Sequence, residues 1–120
     1  MLAEVEVWLS EIALDTQTLL SAEVGILNPD QRQMVESIRN CAEHIMPPLL
    51  PVLREWLPGR SPREAVLCMS TDWRTPICAM RAYARLLLDE FAGPLEEAQI
   101  RIVEEVRDRA EQLWAWSRSS

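Results

Sequence analysis

The sequence predicts an all-α protein: an antiparallel, up-down-up-down four-helix bundle made of two helical hairpins. Three observations predict it. Leu, Ala, Glu and Arg, all good helix formers, dominate a chain of 120 residues with only three glycines. Apolar residues recur at helical spacing in four long segments, and no alternating run bounded by turn residues marks a strand. The connections between the long segments are short, which favours antiparallel neighbours. One hairpin could not cover both of its apolar stripes, whereas two hairpins cover each other.

The first helix is expected over about Leu2 to Glu23, with Val5, Leu9, Ile12, Thr16 and Leu19 on one stripe. Gly25 is expected to end it, because glycine tolerates a left-handed cap. Asn28-Pro29-Asp30-Gln31 then reads as a helix start: Asn28 caps, Pro29 suits the first turn, and Gln31 reaches back as in a capping box. Met34, Val35, Ile38, Ala42 and Ile45 form the inward stripe of the second helix. Pro47, Pro48 and Pro51 break or kink it, since each removes a backbone donor. Leu49 to Leu57 is a separate helical piece, and Pro58-Gly59-Arg60 is a turn.

Ser61-Pro62-Arg63-Glu64 is the clearest helix start, with Ser61 as cap, Pro62 in the first turn and Glu64 completing the box. The third helix is expected to run unbroken to about Phe91. Its seam is Val66, Met69, Trp73, Ile77, Met80, Ala84, Leu87 and Phe91. Ala92-Gly93-Pro94 stops it. The fourth helix is expected over about Leu95 to Ser117, with Ile102, Val106, Ala110 and Leu113 inward.

A shift of 68 positions aligns the two halves of the chain. Leu19, Leu20, Gly25, Leu27, Gln31, Val35, Glu36, Arg39, Ala42 and Glu43 fall on Leu87, Leu88, Gly93, Leu95, Gln99, Val103, Glu104, Arg107, Ala110 and Glu111. Shared heptads alone would not match a glycine and several polar positions. The expected organisation is therefore a first hairpin over 1–57, a turn over 58–61 and a second hairpin over 62–120, imitating a dimer of hairpins within one compact unit.

The formal net charge is −7, which repels phosphate backbones and argues against nucleic acid as a partner. No basic face offers itself to an anionic membrane. Arg81 with Arg85, and Arg101 with Arg107 and Arg109, read as ordinary solvated helix surface. Cys41, Cys68 and Cys78 are scattered and odd in number, so neither a disulfide framework nor a zinc site is expected. Ile45 to Leu57 is the most apolar stretch, too short for a bilayer and interrupted by prolines and Arg54. No signal-peptide pattern opens the chain, so a cytoplasmic address is expected, with no metal and no cofactor.

Ser70-Thr71-Asp72-Trp73-Arg74-Thr75-Pro76 resembles the phosphoacceptor box of sensor histidine kinases, Ser-His-Glu/Asp-Leu-Arg-Thr-Pro. Ala82-Tyr83-Ala84, Leu86-Leu87-Leu88, the Gly93-Pro94-Leu95 turn and the helix after it resemble the same dimerisation and phosphoacceptor domain. The likeness covers Met69 to about Trp116, and the first half only through the repeat. In that family two hairpins form a four-helix bundle, and the box histidine passes phosphate from ATP to a response-regulator aspartate. Here Thr71 stands at the acceptor position and Ala3 at its counterpart in the first half. A phosphothreonine ester is too stable to serve as donor, and no residues follow Ser120 to form an ATP-binding domain, so no autokinase activity is expected.

The resemblance assigns Asp72 to the acidic residue that assists proton movement. It assigns Thr75 to the residue that orients water for response-regulator dephosphorylation, and Pro76 to a helix kink. Thr71 and Thr75, four apart, would share a helix face. The expected function is a non-catalytic two-component signalling regulator that binds a response regulator or a histidine kinase. Thr71, Asp72, Arg74, Thr75 and Cys78 are its candidate contact residues, and the chain is monomer or homodimer. The alternatives are a response-regulator phosphatase using Asp72 and Thr75, and a purely structural dimerisation bundle. His44, the only histidine, reads as a cation near a helix end. Of Trp8, Trp56, Trp73, Trp114 and Trp116, most are expected in packing. Trp114 and Trp116 cannot both face inward, so one marks a contact surface.

Overall fold

The computed structural model describes residues 2–68 and 73–118, and every regular element among them is helical. α1 (Leu2–Leu20) and α2 (Pro29–Asn40) are followed by a π-helical turn at Cys41–Ile45 and a 3₁₀ turn at Pro47–Leu49. α3 (Leu50–Trp56), α4 (Pro62–Cys68), α5 (Arg74–Leu88) and α6 (Glu97–Ser117) complete the order. The molecule is a rod of 46 × 21 × 20 Å. α1 packs against α2 and α6, and α5 packs against the same two helices from the other side. α3 and α4 continue the packing at one end, where α4 lies against α6.

The first stripe is buried as its spacing predicts: Val5, Leu9, Ile12, Thr16 and Leu19 are all inside. Buried Thr16 stays satisfied because its hydroxyl donates to the Ile12 carbonyl at 2.8 Å. α1 nevertheless ends at Leu20 rather than Glu23, and the residue at its left-handed cap is Ala22 (φ 66°), with Gly25 (φ 127°) three residues on. Asn28 caps α2 with the predicted box: its side chain accepts from the Gln31 N–H at 2.8 Å, and Gln31 Oε1 accepts from the Asn28 N–H at 3.0 Å.

The inward stripe of the second helix departs from prediction at its end. Ile45 is exposed and Met46 is fully buried instead. The Met46 N–H donates to the Cys41 carbonyl, five residues back. That wider turn holds one extra residue, so every side chain beyond it moves one position in phase. The prolines at 47 and 48 follow, and they lack the donors with which the turn would tighten again.

The single long third helix is replaced by two described pieces. α4 begins as predicted, with the Glu64 N–H donating to Ser61 Oγ at 3.2 Å, and ends at Cys68. α5 starts only at Arg74, after Trp73 in a turn. Pro76 therefore sits in the first helical turn, where its missing N–H costs no bond, and no kink is required there. Trp73, Ile77, Met80, Ala84 and Leu87 are buried as the seam requires. Met69 lies outside the described residues. Phe91 does not belong to the seam: α5 has ended at Leu88, and the ring is 73% exposed in the following turn. α6 starts at Glu97 rather than Leu95, and Val103 takes the inward position expected of Ile102, in phase with Val106, Ala110 and Leu113. No helix among the described residues is long and apolar enough to cross a membrane.

Candidate functional site

Two regions bring chemistry together, one at each end of the rod. The first is the pair of inter-helix turns. Positions 68 apart share one backbone geometry: Ala22 and Glu90 have φ of 66° and 60°, and Gly25 and Gly93 have φ of 127° and 110°. The helices that follow also start alike, since Gln99 Oε1 accepts from the Glu96 N–H at 2.8 Å as Gln31 does from Asn28. The turns interlock. Asn28 Nδ2 donates to the Ala92 carbonyl at 2.6 Å, and Gln31 Nε2 donates to the Gly93 and Pro94 carbonyls at 3.1 and 3.0 Å. Gly25 in turn lies under Glu96 and Gln99, leaving no room for a Cβ. Both glutamines are buried. The interlock is incomplete on one side, because Gln99 Nε2 has no partner among the described residues.

The second region surrounds the start of α5. Thr71 and Asp72 of the kinase-like box lie outside the described residues, so their geometry adds nothing. Arg74 and Thr75 occupy the exposed first turn of α5, and Cys78 lies exposed one turn further. Beneath them Trp73 is fully buried, with its ring edge to face against Trp116 at 5.4 Å. This aromatic pair fixes the α5 start against the end of α6. A groove of about 270 Å³ opens beside it, and Arg63, Arg74 and Arg118 supply its charged lining, with no acidic residue among the described ones. Trp114 forms one wall, covered by the Arg81 and Arg118 guanidinium groups at 4.6 and 5.5 Å from the ring centre. Trp116 is thus the inward tryptophan of the pair and Trp114 the outward one.

Arg81 and Arg85 converge on Glu111 at 3.0 and 3.3 Å. The hydrogen bond from Arg81, helped by both positive charges, holds the Glu111 carboxyl below its ordinary range. Across α1 and α6, half-buried Asp15 faces Glu105; burial first, and the Glu105 charge second, push its pKa up to about 6. Arg109, paired with Glu11, opposes that rise.

His44 is exposed on the π-helical turn, 3.8 Å from Glu43, at the edge of a polar groove between α1 and α2. No group of metal-ligating side chains occurs among the described residues. The arginine-lined groove was not legible in the sequence, because Arg63, Arg74 and Arg118 are far apart in the chain. The interlocked turns had left a trace, the match of Gln31 with Gln99. Compared with known family models, curated proteins and solved structures, the chain matches none.

Proposed function

We propose that the chain is a non-catalytic two-component signalling regulator. In this reading it is an antiparallel four-helix bundle of two hairpins, resembling a pair of histidine kinase phosphoacceptor hairpins fused in one chain, and it binds a response regulator or a histidine kinase. The observation that carries the reading is the interlocked pair of turns. Matched φ values at Ala22 and Glu90, matched glutamine caps and reciprocal contacts at Gly25 and Gly93 are what a duplicated hairpin folded onto itself would have. The arginine-lined groove at the start of α5 adds a docking chemistry. It suits the acidic surface around a response regulator's phosphoryl-accepting aspartate, with Arg74, Thr75 and Cys78 beside it and Thr71 at the degenerate acceptor position.

The test is binding of the purified chain to a panel of isolated receiver domains and kinase bundles, followed by calorimetry on each hit. Arg74→Glu is expected to weaken binding at least tenfold, and Thr75→Ala to leave it within about twofold. A panel without any binder would overturn the reading. The exposure of Thr75 on the first turn favours the phosphatase as a second reading. There, Thr75→Ala would abolish loss of phosphate from the bound receiver without weakening its binding.

A further inference from the structure

The outer faces of α1 and α5 are opposite in charge and complementary in size. α1 carries two seams. Its inner one is buried, while Ala3, Val7, Ser10 and Leu14 repeat at spacings of four, three and four along the outside. Val7 is 52% and Leu14 64% exposed, both large side chains standing in water on a helix whose inner face is already covered. Every charged residue of α1 is acidic: Glu4, Glu6, Glu11 and Asp15. The corresponding outer positions of α5, 68 residues on, are the small residues Thr75, Cys78 and Ala82, all exposed. Every charged residue of α5 is basic: Arg74, Arg81 and Arg85, spaced along one flank. Intramolecular pairs neutralise part of each set, Arg54 with Glu6, Arg109 with Glu11, and Glu111 with Arg81 and Arg85. Two arginines meet one carboxylate at α5 and two arginines meet four acids at α1, so the residual sign on each face is opposite without counting Arg74.

We propose that a second copy of this chain docks the outer face of its α5 onto the outer face of α1. Val7 and Leu14 fit as knobs over the small stripe of Thr75, Cys78 and Ala82, with arginines of one copy beside carboxylates of the other. Pairing α1 with α1, or α5 with α5, would set like charges along the contact, so the unlike pairing is selected. α1 and α5 each pack against both α2 and α6 but not broadly against each other, so their outer faces point away from one another. A contact between α1 of one copy and α5 of another therefore leaves a free α1 and a free α5 at the two ends. Such a heterologous contact does not close at two subunits; it continues into an open chain. The contact is one helix face wide, at the small end of interface sizes, so it forms reversibly between folded monomers. It also covers Thr75 and Cys78, so self-association and the proposed partner would compete for one surface.

Sedimentation velocity on the full chain over a concentration series tests this without any signalling partner, so its failure is separate from failure of the signalling reading. The expected result is an average mass that rises with concentration past the dimer. Leu14→Glu and Ala82→Glu change exposed positions and should each give a monomer with an unaltered circular dichroism spectrum. Mixed together, the two retain one intact face each and should form a dimer of one copy of each variant that grows no further. A wild-type chain that stays monomeric at all concentrations overturns the proposal. So does a dimer that never extends, or a mixture of the two variants that does not pair.

Discussion

Replacement of Gly25 by alanine tests the interlocked turns, and Gly59 provides its control. Both glycines have positive φ, 127° and 79°, so alanine meets backbone strain at each. At Gly59 nothing lies within 4 Å of the added carbon, and the cost is the backbone term alone, about 1.5 kcal/mol. At Gly25 the new Cβ would sit 2.5 Å from Glu96 Oε2 and 2.9 Å from Gln99 Nε2. The Glu96 carboxylate is the end of a flexible side chain and can move. Gln99 is buried and holds the Glu96 N–H, so displacing it forfeits that bond, about 1 kcal/mol. With a backbone cost of about 2 kcal/mol at this φ, the total is about 3 kcal/mol. For a chain of this size that is a fall in Tm of about 12 °C, against about 6 °C for Gly59→Ala. Urea unfolding followed by circular dichroism gives both numbers. Equal losses for the two variants would refute the packing of one turn against the other.

The π-helical turn makes a contrary pair of predictions. Met46→Ala should cost about 2–5 kcal/mol and Ile45→Ala less than about 1 kcal/mol in urea unfolding, the reverse of what helical spacing alone implies. Glu96 stands where Asn28 stands in the other half, yet its carboxylate cannot donate as Asn28 Nδ2 does to Ala92. Glu96→Asn should supply the missing bond to the Val24 carbonyl and raise stability by about 1 kcal/mol, checked by the denaturation midpoint. Asp15, raised from 3.8 to about 6, binds its proton more tightly when folded, so its contribution to stability is fully present below about pH 4 and is lost as pH rises through about 6. The full displacement corresponds to about 3 kcal/mol, and partial exposure of the carboxyl reduces this to about 1 kcal/mol. Asp15→Asn should flatten that part of the curve measured by unfolding at a series of pH values.

The arginine-lined groove and the docking face were only partly visible in the chain. Arg74 and Thr75 stood out through the kinase-like box, but Arg63 and Arg118 have no sequence signal. They meet Arg74 because Trp73 packs on Trp116 and brings α4, α5 and the end of α6 to one place. His44 carried no such context, and it stands exposed at the rim of a groove between α1 and α2.

By itself the sequence determined the helical class, the buried stripe of α1, the caps at Asn28 and Ser61, and the correspondence between the halves. These follow from local rules: which residues tolerate a helix, which side chains cap one, and which positions share a face. The tertiary structure decided the phase after Cys41, the exposure of Phe91 and Ile45, and the start of α5 at Arg74. It also decided how the two turns grip each other. Each of these depends on where a distant segment lies. A one-residue change of phase or a turn pressed against another turn has no period of its own, so only packing selects it.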